Sequence, residues 1–351
     1  MRLALVGAGN IAARYAAAIT AAEGLELAGA TDTTPGRADE LAAAHGGVAY
    51  PSLAALLADD GVDTVVNLTV PQAHADVTAA ALEAEKHVHS EKPLALHHAD
   101  AQRLVELAAA RGVRLSSAPA TLLGEAQQTA WKLVREGAIG RVRAVYAEAN
   151  WDRVERWHPD PRSLYEVGPL VDVGIYPLAI LTAMFGPVRR AQAYATTLEP
   201  ERTRLDGTSF TPGSPDFVVA VLEHAGGVVT RLTASFYVGP CRQRGLELHG
   251  DTSSLHLPTW AEADSRLFLQ QRGGEYEQQP LLREPFPGID WARALVDLAD
   301  AIATGRPHRA SGEHAAHLVE VLEAVEGSVA AATPVDVASD FVRPEPLEWA
   351  R

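Results

Sequence analysis

The chain has 351 residues, 47% of them hydrophobic, which suits two domains that each bury a core. Its formal net charge of -15 excludes nucleic acid and anionic membrane as partners, since both call for clustered Lys and Arg. Cys241 is the only cysteine, so neither an internal disulfide nor a cysteine zinc site can form.

In chain order, Arg2–Val6 reads as a buried strand that stops at Gly7, too short for a signal-peptide core. No stretch approaches about 20 uninterrupted apolar residues, so the expectation is a cytoplasmic protein that spans no membrane. An Ala-rich helix at 10–23, a strand at 25–30, a helix at Arg37–His45 and a Val-rich strand at 63–70 follow. Next come a helix at 73–84, a strand at 86–89, a helix at 100–110 and a strand at 113–116. Such alternation predicts a doubly wound parallel sheet with helices on both faces. We expect this α/β domain to occupy residues 1–119.

Beyond it the pattern changes. A helix at Glu125–Arg135 and a strand at 142–148 lead to a turn-rich, aromatic stretch at 154–168. A helix at 170–185, interrupted by Pro177, comes next. Strands at 191–196, Phe217–His224, 228–236, 246–249 and 267–270 follow with no helices between them, and helices at 291–303 and 313–331 close the chain. Residues 120–351 therefore read as a second α/β domain on a large, mostly antiparallel sheet with one covered face.

Gly7, Gly9 and Ala12 stand between a strand and a helix in the Gly-x-Gly-x-x-Ala spacing of a dinucleotide cradle. Gly7 permits the turn, Gly9 lets backbone approach a pyrophosphate, and the helix start around Asn10 and Ile11 offers N–H groups to the phosphates. Asp32 follows the second strand, placed for a ribose diol. Its carboxylate favours NAD over NADP, although Arg37 is near enough in sequence to meet a 2′-phosphate. Thr69, Pro71 and His74 follow another strand and are expected to wall the cofactor.

Glu91-Lys92-Pro93 ends a further strand, which places a lysine where cofactor and substrate meet and gives Glu91 a loop-tying or cofactor-contacting role. Asp172 and Tyr176 lie four apart on a helix, with Gly174 between them leaving room for a close neighbour such as the nicotinamide. A nearby ammonium would favour the phenolate and make Tyr176 a base. Trp157, His158 and Tyr165 are expected to line a substrate pocket, Trp157 stacking on a sugar face. His314 and His317 are three apart with no evident third ligand, so no metal is expected.

These motifs, together with Gly137-Ala138-Ile139-Gly140, the run Gly168-Pro169-Leu170-Val171-Asp172-Val173-Gly174-Ile175-Tyr176-Pro177, and the stretch from Ala301 to Pro307 with Ser311-Gly312-Glu313, resemble the glucose–fructose oxidoreductase / inositol dehydrogenase / MocA family over nearly the whole chain. The resemblance implies a Rossmann domain followed by an open-faced α/β domain. It also implies a sugar, cyclitol or related polyol (or its keto form) as substrate, NAD or NADP as cofactor, and Lys92, Asp172 and Tyr176 as the catalytic group. A homodimer or homotetramer is the family's usual assembly. The chain departs from the family in carrying Tyr176 where many relatives have His, and Ala118 to Gly124 where many have Arg followed by an aromatic. Whether Lys92 or Tyr176 takes the proton is therefore open, and the substrate wall at 118–124 does not transfer. Two rival readings stand beside a dehydrogenase: a tight-cofactor enzyme cycling between two substrates, and a dinucleotide-binding sensor without chemistry.

Overall fold

The computed structural model describes Met1–Arg351 as two compact units. The first comprises Met1–Ala120 and Asp290–Val319; the second comprises Thr121–Ile289 and Glu320–Arg351. A single division at 119/120 thus ends only the first pass through the first unit, because residues 290–319 return to it. The reason is apolar burial: Leu295 joins the cluster of Leu3, Leu5 and Tyr15, and Ala315, Ala316 and Val319 join that of Ala4, Val65 and Val88.

In the first unit, β1 (Arg2–Val6), α1 (Ala12–Ala21), β2 (Glu26–Thr31), α2 (Arg37–His45), β3 (Val48–Ala49), α3 (Leu53–Leu57), β4 (Thr64–Asn67), α4 (His74–Glu83), β5 (His87–Ser90), α5 (His98–Arg111) and β6 (Leu115–Ser117) alternate along the chain. The strands form one parallel sheet in the order β3-β2-β1-β4-β5-β6. Leu3, Leu5 and Val66 pack on α1, whereas Ala4, Val6, Val65 and Val88 pack on α4 and α5. Burial on both faces is why these strands read as unbroken apolar runs. The order reverses between β1 and β4, the place where open sheets of this kind bind ligands. Val6 pairs with both Thr31 and Asn67, and Asn67 pairs with Ser90, so four strands end in register. The expected helix at 10–23 contracts to α1, since residues 7–11 are spent on the turn. α3 is five residues and β3 two, too short to leave a periodic signature.

The second unit contains α6 (Glu125–Arg135), β7 (Val142–Asn150), α7 (Arg162–Pro169), α8 (Ile175–Phe185), β8 (Val188–Thr196), β9 (Arg202–Thr203), β10 (Ser209–Phe210), β11 (Phe217–His224), β12 (Val229–Ser235), β13 (Gly245–Gly250), β14 (Ser253–Leu257), β15 (Leu267–Gln271), β16 (Tyr276–Gln279) and β17 (Val335–Asp336). Nine strands form one sheet, ordered β16-β15-β14-β13-β7-β12-β11-β8-β17. Only β7 and β12 run parallel. Val218, Ala220 and Leu222 are buried while Val221 and Glu223 are exposed, the alternation of a sheet covered on one side.

The stretch 154–168, read as turns, holds α7, a helix of eight residues that Gly168 and Pro169 interrupt at its end; the two breakers give the segment its turn-like composition. Residues Leu170–Gly174 wind as a wider π-type turn, and α8 begins at Ile175. Pro177 is the third residue of α8, directly after the π-type turn, where regular i→i−4 pairing is already interrupted. Together Arg162–Phe185 is long and apolar enough for a membrane span by composition, yet 89% of its most apolar window is buried inside the unit and Gly168 breaks it.

A buried ion cluster anchors this region. Arg202, with its side chain wholly buried, donates to Glu155 at 2.8 Å and to Asp216, and its guanidinium lies 4.9 Å from the ring centroid of Tyr165. Asp216 also accepts from the backbone of Leu198 at 2.7 Å and Glu199 at 3.2 Å.

Burial pushes the imidazoles of His89 and His314 down to about 3, so both are neutral in the fold. Unfolded, they protonate below about 6.5. Their contribution to stability is complete above that value and is lost as pH falls toward 3, by on the order of 2 kcal/mol each at pH 5. Urea unfolding at pH 7.5, 6 and 5 should show this decline, and His89→Gln should flatten it; a pH-independent midpoint would refute the assignment.

Candidate functional site

The turn after β1 is built on Gly7, whose φ is +99° and whose N–H donates to Thr31 O at 2.9 Å. A Cβ there would stand 2.7 Å from Leu68 O, so the position admits only glycine. Nothing lies within 4 Å of a Cβ placed on Gly9, so its backbone faces open space. Ala12 is fully buried and opens α1, whose N-cap, Ile11, offers no side-chain cap. The turn around Asn10 and Ile11 thus presents an open helix N-terminus of the kind that receives phosphate.

Asp32, just past β2, accepts from Ala8 N at 2.6 Å and Thr34 N at 2.7 Å. Burial pushes its carboxyl up, but these two amides and Arg37 outweigh it and hold the group below the usual range. An anion is therefore fixed beside the turn. Arg37 is exposed at the first position of α2.

At the end of β4, buried Asn67 accepts from the Thr69 hydroxyl at 2.7 Å and donates to Thr78 and to His74 O, both at 3.1 Å. Thr69 and Pro71 are half-buried, Pro71 opening a short turn before α4. His74, expected to wall the cofactor, is 1% exposed. Its Nδ1 lies 2.6 Å from Pro93 O and its Nε2 3.1 Å from Thr69 O, so the ring is enclosed between two loops, and as a neutral imidazole it donates its single N–H to one of these two carbonyls. Burial lowers its pKa.

Lys92 follows β5, and the Lys92-Pro93 peptide is cis. Glu91 is buried; one carboxylate oxygen accepts from Tyr15 OH at 2.8 Å and the other from Lys92 N at 3.0 Å. Asn67 and Tyr15 escaped the sequence reading. Their signal was a polar residue at the end of an apolar strand and an aromatic one turn past the glycines.

In the second unit, Tyr176 and Phe185 are the only residues of α8 that are not buried. Asp172, half-buried, precedes Tyr176 by four residues across the π-type turn. The space beside Gly174 is filled by protein: a Cβ there would lie 3.2 Å from Leu170 and 3.3 Å from Ala234. Gly174 therefore serves helix-on-sheet packing and leaves no room for a nicotinamide. Trp260, unforeseen, packs on Tyr176 with ring centroids 5.0 Å apart. Its indole N–H donates to Glu148 O at 3.1 Å, and Gln127 holds its carbonyl at 3.2 Å. Trp260 also lines a cavity of about 420 Å³ with Trp151, Asn150 and Arg244.

Trp157 is 53% exposed, with His158 against it at 5.5 Å. Tyr165, expected in the substrate pocket, is 1% exposed. Burial and its hydrogen bond to Glu155 raise its pKa, and Phe210 and Phe236 enclose the ring, so it belongs to the ion cluster and not to a pocket wall. No group of three His, Cys, Asp or Glu residues is placed to hold a metal ion.

Comparison with known proteins identifies the family of both domains. Residues 1–118 match the model of an oxidoreductase family with an NAD-binding Rossmann fold, and residues 127–256 match the GFO/IDH/MocA C-terminal domain. The dTDP-3,4-didehydro-2,6-dideoxy-alpha-D-glucose 3-reductase of Streptomyces violaceoruber is 32% identical over 67% of this chain and 70% of its own. The UDP-N-acetylglucosamine 3-dehydrogenase of Acidithiobacillus ferrooxidans is 30% identical over 88% of this chain and 90% of its own. A levoglucosan dehydrogenase in complex with NADH and levoglucosan superposes with a TM-score of 0.84 at 22% identity, covering 97% of this chain and 100% of that one, a likeness of fold.

The two glycines should separate by experiment. Gly7→Ala should destabilise the protein by on the order of 2–4 kcal/mol, since backbone stands in the way. Gly9→Ala should leave the melting temperature unchanged and weaken NADH binding at least about tenfold, roughly 1.4 kcal/mol. Undiminished NADH affinity in Gly9→Ala would place the dinucleotide elsewhere.

Proposed function

The chain belongs to the GFO/IDH/MocA family of NAD-binding oxidoreductases, and from that premise we propose that it moves a hydride between NAD and a secondary alcohol of a sugar or related polyol, or the corresponding ketone. The observation that carries this reading is the open turn at Gly7 to Ile11 beside an ionised Asp32. A fixed carboxylate accepts a ribose diol and repels a 2′-phosphate, so the preference is for NAD over NADP. Bound nicotinamide supplies the hydride acceptor or donor. The protein supplies the proton transfer and the placement of the reacting carbon.

Lys92 and Tyr176 are the two groups proposed to take the hydroxyl proton, with Asp172 orienting the substrate. Only three of the 30 Lys and Arg residues are lysine, namely Lys86, Lys92 and Lys132. Unlike an arginine, a lysine is a cation that can release a proton. This favours Lys92 as the proton-transfer group and leaves Tyr176, held against Trp260, to hydrogen-bond the substrate. Trp157 and His158 are retained as substrate contacts on the strength of the exposed indole. The relatives named for dTDP- and UDP-linked sugars place nucleotide sugars among the candidates.

We further propose a homo-oligomer, dimer or tetramer, assembled through the uncovered face of the nine-stranded sheet. Tyr194 at 64% exposure and Val221 at 43%, with Tyr146 and Val229, stand exposed on that face, interspersed with Gln192, Glu223 and Arg231. Light scattering should give at least a dimeric mass, which Val221→Arg should lower; a monomeric wild-type protein at micromolar concentration would end this proposal.

Fluorescence titration with NADH and NADPH, followed by a panel of free and nucleotide-linked sugars with the preferred oxidised cofactor, tests the function. NADH should bind more tightly, and Asp32→Ala should narrow the difference. Lys92→Met should lower kcat by about 10²–10⁴-fold and Tyr176→Phe by less, within the reach of general acid–base catalysis. Binding without turnover of any sugar would shift the reading to a sensor, and NADH retained through purification to a tight-cofactor enzyme.

A further inference from the structure

The peptide that carries Lys92 is fixed at three points. Glu91 N donates to Asn67 O at 2.8 Å, which continues the β4–β5 ladder. His74 Nδ1 reaches Pro93 O at 2.6 Å. The third tie is the buried Glu91 carboxylate, which accepts from Lys92 N at 3.0 Å and from Tyr15 OH at 2.8 Å. Only this third tie reaches α1, the helix whose first turn forms the open glycine site.

The arrangement is demanding. Glu91 is 6% exposed and Tyr15 3%, so water is a poor substitute for the donors they use. A buried carboxylate oxygen that loses its donor must rotate toward another or take up a proton. Either response moves or removes a negative charge adjacent in sequence to Lys92. The Tyr15 ring itself is held independently, edge-on to Trp291 at 5.3 Å and tilted against His89 at 6.2 Å. Its hydroxyl is therefore separable from its packing.

We propose that Tyr15 is a positioning residue for Lys92: its hydroxyl fixes the Glu91 carboxylate, and through it the backbone and electrostatic setting of the lysine, to the helix that seats the cofactor. The inference rests on the reading of Lys92 as the proton-transfer group. It makes the cofactor helix and the catalytic lysine one mechanical body, so that the lysine is set by the same element that receives the pyrophosphate.

The scarcity of lysine makes a direct test practical. Reductive methylation with ¹³C-formaldehyde labels Lys86, Lys92 and Lys132 and the amino terminus, and ¹³C NMR follows the titration of each. In Tyr15→Phe, which keeps the ring, the Lys92 midpoint should move by about half a pH unit or more while Lys86 and Lys132 stay put. On unlabelled protein kcat should fall about tenfold with KM for NAD and for the sugar turned over changing less than about twofold. Tyr15→His, which restores a ring donor, should recover part of the loss, and Glu91→Gln should reproduce the Tyr15→Phe shift. An unmoved Lys92 signal with unchanged kcat would overturn the inference and leave Tyr15 as packing. If Lys92→Met itself keeps full turnover, the reading of Lys92 fails and takes this inference with it. If Lys92→Met is inactive and Tyr15→Phe behaves as wild type, only the inference falls.

Discussion

The first unit depends on the close approach of the turn after β1 to the end of β4. Leu68 O stands where a Gly7 side chain would begin, and that proximity brings two strand ends together at the point where the sheet order reverses. The polar groups beside the turn follow from it. Ala8 N needs an acceptor, and Asp32 provides it from the next strand; Thr69 needs one, and buried Asn67 provides it. Asp32 is thus structural before it is functional, since the contacts that hold the turn also keep the carboxylate ionised.

In the second unit the corresponding constraint is electrostatic. Arg202, Glu155 and Asp216 are buried together, and Tyr165 completes the set. Burying such a group gives little net stability and is costly to break on one side only. Its effect is to specify position: Asp216 holds the backbone of 198 and 199, while Glu155 and Tyr165 hold the segment leading into Asp172. Trp157 and His158 follow close behind Glu155, so this cluster fixes the segment from which the exposed indole projects.

The fold class, both sheets and the glycine turn were legible because they rest on local periodicity and on spacing. The roles of His74, Gly174 and Tyr165 were not. Each is a residue type common in active sites, and each is diverted to structure by a neighbour distant in sequence: Pro93 for His74, Ala234 for Gly174, Arg202 for Tyr165. Trp260 was missed for the converse reason, since nothing near it in sequence hints that Tyr176 lies against its ring. The return of residues 290–319 to the first unit was equally invisible, because an amphipathic helix states that it has a buried face and not which core receives it.

The two candidate proton-handling groups differ in what fixes them. Tyr176 is placed by packing on an indole whose ring N–H donates to Glu148 O, while Gln127 donates to the backbone carbonyl of the same residue, Trp260. Such a surface orients a ring but leaves its hydroxyl to whatever partner arrives. Lys92 is placed by its backbone, whose N–H donates to a carboxylate shared with another helix. A long flexible side chain on a rigid backbone keeps a fixed origin and a mobile tip, which suits a group that must follow a proton. A phenol on a rigid aromatic support suits a group that must hold a direction. The proposed division of labour, proton transfer at Lys92 and orientation at Tyr176, rests on these two kinds of support as much as on acid–base chemistry.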